Sequence, residues 1–123
     1  NFCQGTVSEM LENPSEEIFD LIRFFGEQGK IFNVHFRNIR GKVLDFVEVY
    51  PEEGDIDMLE ALRTYRDVGY DGMVMPDHIP YVTGPESRRV SMAYAYGYIR
   101  AMIQVVEGEM TQVHNKPTGR FPL

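Results

Sequence analysis

Residues 31–38 read Ile31-Phe32-Asn33-Val34-His35-Phe36-Arg37-Asn38, and the alternation in this octapeptide decides how the chain is expected to fold. Phe32, Val34 and Phe36 share one parity, while Asn33, His35 and Arg37 share the other. Successive side chains of a strand point to opposite faces. A strand here therefore turns an apolar face to a helix layer and gathers an amide, an imidazole and a guanidinium on its second face. Helical patterns lie on both sides of the octapeptide, and strands alternating with helices specify a parallel sheet covered by helices. Polar groups on the inner face of such a sheet need a reason. Open α/β sheets and closed α/β barrels both bind their ligands at the carboxyl ends of the strands, which supplies one.

On the N-terminal side, Asn13-Pro14-Ser15-Glu16-Glu17 carries the start signals of a helix. Proline suits the first turn, Ser or Asn can cap, and the acids face the positive end of the dipole. Ile18, Leu21, Ile22 and Phe25 recur at helical spacing until Gly26 and Gly29 stop the run. Residues 1–6 read as the end of a strand, with Phe2 apolar, Cys3 and Gln4 polar or reactive, and Gly5 opening a loop. On the C-terminal side, Arg40-Gly41-Lys42 reads as a turn, and residues 42–50 as a weakly alternating extended excursion. Asp55 is the expected cap of a second helix carrying Met58, Leu59, Leu62 and Tyr65, with Gly69 as its stop. Met73-Val74-Met75-Pro76-Asp77-His78 reads as a short apolar strand ending in two ionisable groups. A last helix over residues 89–107 buries Met92, Tyr96, Ile99, Met102, Ile103 and Val106. Residues 108–123, with Pro117 and Gly119, read as an irregular tail in which His114 is solvated. The expected class is thus α/β, with three consecutive strand–helix units and parallel strands over residues 1–107.

Composition bounds the function. The chain has 123 residues, 43% of them hydrophobic, and a formal charge of −7, with its twelve basic residues scattered. No nucleic-acid footprint is expected from such a surface, and no apolar run is long enough for a membrane span. The N-terminus lacks an initiator Met, a basic stretch and an apolar stretch, so it reads as the inside of something rather than a leader. A single cysteine suits a reducing cytoplasm and leaves Cys3 as a buried thiol, a nucleophile or a ligand.

Cys3, His35 and Asp77 each stand at a strand's carboxyl end, 32 and 42 residues apart, which is what one βα unit with a modest loop requires. Parallel neighbours bring all three to one rim, and thiolate, neutral imidazole and carboxylate are together a ligand set for a divalent first-row ion. Each residue has a plainer reading alone: Cys3 as a buried thiol, His35 as a packed imidazole, Asp77 and His78 as a turn cap. Arg37 reads either as a salt-bridge partner or, sharing the parity of His35, as a fork for a substrate carboxylate. Asn38 beside it is the second candidate for substrate binding. Tyr94, Tyr96 and Tyr98 read as packing residues of the last helix.

The motifs NFCQGT, KIFNVHFRNIRG, GDIDMLEALRTYRDVGYDG and MPDHIP, followed by a helix around AYGYIRAM, resemble the C-terminal third of the mannonate dehydratases over about residues 1–107. The resemblance implies a TIM barrel related in fold to xylose isomerase, of which these residues would be the last three of eight βα units. It implies a hydro-lyase of hexuronate breakdown that converts D-mannonate to 2-dehydro-3-deoxy-D-gluconate and water with Mn²⁺ or Fe²⁺. Cys3, His35 and Asp77 inherit the role of metal ligands, and His78 an acid–base role. The family's longer insertion after PDH, with its Pro-Gly-Tyr, has no counterpart in residues 84–98, so no catalytic tyrosine is carried over. The full-length enzyme can be a homo-oligomer, and a third of the barrel alone, with three ligands and an incomplete pocket, is expected to show no turnover. A metal-dependent sugar isomerase or epimerase on the same barrel, or a truncated fragment with vestigial ligands, are the rival readings.

Overall fold

The computed structural model describes residues 1–114, with side chains through residue 111. The chain opens with β1 (Phe2–Cys3), passes directly into a short helix α1 (Gln4–Ser8), and continues through α2 (Pro14–Gly26) to β2 (Asn33–His35). A hairpin of β3 (Ile39–Lys42) and β4 (Asp45–Glu48) and a 3₁₀ turn at Pro51–Glu53 lead to α3 (Met58–Asp67). Then come β5 (Met73–Met75) and α4 (Ser87–His114).

β1, β2 and β5 lie side by side in that order, both pairs parallel, with Cys3 opposite His35 and His35 opposite Met75. The expected strand–helix units and parallel strands are therefore present. Val34 is buried against the helices, where Phe2, Ile18, Ile22, Phe36, Ala61, Leu62, Tyr65, Ile99 and Met102 form the core. Tyr65 ties the layers together. Its ring lies 6.3 Å from both Phe2 and Phe36, and its hydroxyl donates to Oε1 of buried Gln4 at 3.2 Å. Burying a side chain of this size contributes about 1.5–3 kcal/mol, and the bonded hydroxyl removes the penalty of hiding a polar group.

Several local expectations need correction. Phe32 is 78% exposed and Ile31 is buried in its place, because the alternation governs only the paired residues 33–35. The excursion over residues 42–50 is the far half of an antiparallel hairpin, whose turn falls at Val43 and Leu44, not at Arg40-Gly41-Lys42. Leu44 adopts φ +67° there with its side chain 97% exposed, a conformation that sequence reading assigns to Gly or Asn. Asp57 caps α3 by accepting from Glu60 N–H at 3.0 Å, and Asp55 instead accepts Gly41 N–H at 2.8 Å, fastening the hairpin to the helix. Glu17, not Asn13 or Ser15, takes up the N–H groups before α2.

α4 continues through Gly108 to His114, so the irregular tail does not begin at residue 108. The reason is Glu109, whose carboxylate is held by Arg63 at 2.7 Å and Arg66 at 3.0 Å from α3. Residues 115–123, with Pro117 and Gly119, and the side chain of His114 lie outside the described residues. The buried stripe of α4 runs through Ser91, Ala95, Ile99, Met102 and Val106, with Tyr96 exposed one position away from it. Among the described residues no helix is long and apolar enough to cross a membrane.

Candidate metal centre

The register of the sheet builds the site. Cys3 ends β1 and His35 ends β2 directly opposite each other, and Asp77 stands two residues past Met75, hence on the same face. Buried Pro76 fixes the backbone just before it. The potential donor atoms of Cys3, His35 and Asp77 all lie within 4.8 Å of one another, with Asp77 Oδ2 3.3 Å from His35 Nδ1 and 3.8 Å from Cys3 Sγ. Ligand bonds of about 2.0–2.3 Å put atoms around one ion roughly 3–4.5 Å apart. The three donors therefore suit a single first-row divalent ion, both in spacing and in their mix of sulfur, nitrogen and oxygen. All three residues are half-buried.

A second ring of polar groups surrounds them. Thr6, one turn along α1, donates to Cys3 Sγ at 3.1 Å and accepts from Arg37 Nη1 at 3.2 Å. Arg37 is 5% exposed. Its Nη1 also donates to Glu9 Oε1 at 3.1 Å, its Nε to Glu48 Oε2 at 3.0 Å and its Nη2 to Glu48 Oε1. The guanidinium caps the Phe46 ring at 5.3 Å, and its stem passes so close to Gly5 that a Cβ there would fall 2.7 Å from Arg37 Cγ. Burial alone would lower the pKa of Arg37, but the hydrogen bonds and charge of Glu48, with Cys3 adding, carry it well above the usual value. Arg37 thus forms the ion pairs of the first of its two readings, with its fork engaged by Glu48.

Asn38 departs from its expected role. Its amide donates to Pro51 O at 2.8 Å and Ile56 O at 2.9 Å, and its Oδ1 accepts Ile39 N–H at 3.1 Å and Ile56 N–H at 3.2 Å. A carboxamide has two donor hydrogens and two acceptor positions, so this buried side chain has no capacity left for a substrate. It organises the segment between the hairpin and α3 instead.

His78 sits beside the ligands but outside them. Its imidazole is 65% exposed, with Nδ1 3.3 Å from Glu48 Oε1 and Nε2 3.9 Å from Asp77 Oδ1. Tyr94 stacks on Tyr98 and donates to Glu52, and this hydrogen bond, with the carboxylate's charge, pushes the phenol up to about 12. Sequence reading missed Thr6, Glu9 and Glu48. Thr6 is three residues from Cys3 and could have been found only by knowing that α1 starts at once, while Glu48 shares the two-residue period of half-buried Phe46 in β4.

Parallel βα units that converge a thiol, an imidazole and a carboxylate at the carboxyl ends of their strands define the class: an α/β chain with a candidate divalent-metal centre at its sheet rim. Comparison with known proteins makes the class particular. A family model described as D-mannonate dehydratase (UxuA) matches residues 1–118, and the chain belongs to that family. The mannonate dehydratase of Thermotoga petrophila is 32% identical over 90 residues, which are 71% of this chain and 24% of the relative. Mannonate dehydratase 2 of Halalkalibacterium halodurans is 34% identical over 89 residues, 70% of this chain and 25% of that protein. The mannonate dehydratase of Oceanobacillus iheyensis is 33% identical over 121 residues, 91% of this chain and 33% of that relative. The chain thus spans about a quarter to a third of the length of the curated relatives it matches.

Proposed function

We propose that this chain is the part of a D-mannonate dehydratase that contributes three metal ligands and a proton-transfer residue to the active site of a longer (β/α)₈ barrel. The reaction is the loss of water from D-mannonate, in which the C2 proton and the C3 hydroxyl leave and the enol product rearranges to 2-dehydro-3-deoxy-D-gluconate. Cys3, His35 and Asp77 would hold Mn²⁺ or Fe²⁺, ions that accept a mixed S, N and O set. Such an ion, when bound, supplies Lewis-acid stabilisation of the charge that develops on the substrate oxygens. The C2 hydrogen beside a carboxylate is only weakly acidic, so the proton needs a carrier, and His78 next to ligand Asp77 is the titratable group positioned for it. The water that leaves is made from the C3 hydroxyl and one proton, so acid and base steps balance.

The observation that carries this reading is the approach of Cys3, His35 and Asp77 within 4.8 Å of one another from three successive units. The test is metal analysis and product identification with the longer protein. Bound Mn²⁺ or Fe²⁺ and formation of 2-dehydro-3-deoxy-D-gluconate from D-mannonate are expected. Isomerisation of aldoses without dehydration of mannonate would instead favour a sugar isomerase on the same barrel.

A further inference from the structure

We propose that Glu48, on the hairpin strand β4, is a positioning residue that sets the orientation of His78; the inference rests on the reading of His78 as the proton carrier. The imidazole is 65% exposed. Its described polar neighbours are Glu48, at Nδ1, and Asp77, at Nε2. A hydrogen bond from Nδ1–H to Glu48 leaves the lone pair of the neutral ring on Nε2, the nitrogen on the side of the ligand set. That is the nitrogen a proton carrier needs to present there.

Glu48 is suited to this because it cannot turn away. Arg37 grips both of its carboxylate oxygens, and Arg37 is itself anchored by Glu9, Thr6, the face of Phe46 and the close passage over Gly5. The charges also leave a surplus. One guanidinium faces two carboxylates, Glu9 and Glu48, so neutralising Arg37 does not by itself require Glu48. Oε1 of the carboxylate so held accepts from Arg37 Nη2 and, with two acceptor positions on each oxygen, keeps one for the imidazole. The hairpin interrupts the succession of strands and helices, and in doing so it brings a fixed carboxylate over the rim, beside a residue at the exit of the last parallel strand.

The experiment uses the longer protein with D-mannonate as substrate and compares Glu48→Gln with His78→Asn. Glu48→Gln should lower kcat on the order of 10- to 100-fold, as for other groups that orient a histidine, with KM and bound metal within about twofold of wild type. Unchanged kcat with metal retained would overturn the inference. A loss confined to KM or to metal content would also overturn it, because orientation of a proton carrier acts on turnover. Should Glu48→Gln fail to fold, Glu48→Asp decides on the same readouts, since it keeps a carboxylate for Arg37 while withdrawing from His78 by one methylene. His78→Asn separates the two readings. Wild-type turnover in His78→Asn sinks the role of His78 itself, whereas an inactive His78→Asn beside a fully active Glu48→Gln sinks only the role of Glu48.

Discussion

Asn38→Ala separates a structural amide from a substrate-binding one. Truncation strands two backbone carbonyls, Pro51 and Ile56, and two backbone N–H groups, Ile39 and Ile56, in a site where the side chain is 2% exposed. Leaving a buried polar group without a partner costs about 1–3 kcal/mol. Four such groups do not add in full, because the segment relaxes and water enters the space of the lost amide. A destabilisation of about 3–5 kcal/mol is the expected outcome, at the upper end for a single substitution. Gly54 makes the repair harder for any larger residue: a Cβ there would lie 2.1 Å from Asn38 Cγ, so glycine and amide are packed in direct contact. Asn38→Asp should fare no better, since it sets a carboxylate oxygen against the carbonyls of Pro51 and Ile56. The assay is urea-induced unfolding of the longer protein, followed by KM and kcat measured without denaturant at a temperature well below the transition. A much lowered unfolding midpoint with near-normal KM is expected. An unchanged midpoint together with a tenfold rise in KM would refute the structural assignment and return Asn38 to the substrate.

Cys3→Ser in the longer protein should weaken metal binding, because a serine hydroxyl does not ionise as a metal-bound thiol does, whereas His78→Asn should keep its metal and lose turnover; metal analysis after dialysis distinguishes them. Equal metal content and equal activity in both would defeat the assignment. Gly5→Ala should cost about 1–3 kcal/mol, since its Cβ would fall 2.7 Å from Arg37 Cγ, and thermal melting reads this directly; an unshifted melt would mean that Arg37 moves freely. Glu109 is held below its ordinary carboxylate range, first by hydrogen bonding to Arg63 and then by Arg66. Its folded-state pKa lies below the unfolded value, so this contact is fully stabilising above the ordinary carboxylate pKa and is lost as pH falls through the lowered one. Amide exchange in the last turns of α4 should therefore accelerate on acidification, and Glu109→Gln should remove most of that acceleration.

The parallel order of β1, β2 and β5 was legible because each strand ends in a chemically distinct residue and each is followed by a helical stripe, two signals of different period that agree. Cys3, His35 and Asp77 converge as their spacing predicts. The hairpin was not legible, since its turn uses Val43 and Leu44 with no Gly, Asn or Asp to announce it, and Leu44 adopts a left-handed conformation against its own preference. Arg37 was half legible. Its parity placed it correctly at the rim, but whether a guanidinium meets substrate or protein depends on Glu9 and Glu48, which arrive from elements whose position only the tertiary fold decides. The bonds of Asn38 were not legible for a related reason: its partners are spread over the first residue of β3, the 3₁₀ turn and Ile56 before α3, which only the tertiary fold brings together. The cap of α3 was misplaced by two residues because Asp55 and Asp57 are chemically equivalent, and the hairpin claims the first.

Strands of two and three residues carry few ladder hydrogen bonds, and alternation of apolar and polar side chains excludes only a shift by one residue, which would turn every face over. A shift by two preserves all the faces. Sliding β5 by two residues would bring Met75 to the place of Asp77 and carry the carboxylate about 7 Å away, at roughly 3.3 Å per residue. The core favours the observed register, since the slide would set Gly72 rather than Val74 opposite Val34, and a bound ion would favour it further, since only this register offers a carboxylate beside the thiol and the imidazole. An ion held at this rim would thus act as a gauge of strand alignment, and metal content measured on freshly folded protein would count the molecules whose strands had docked in the true frame.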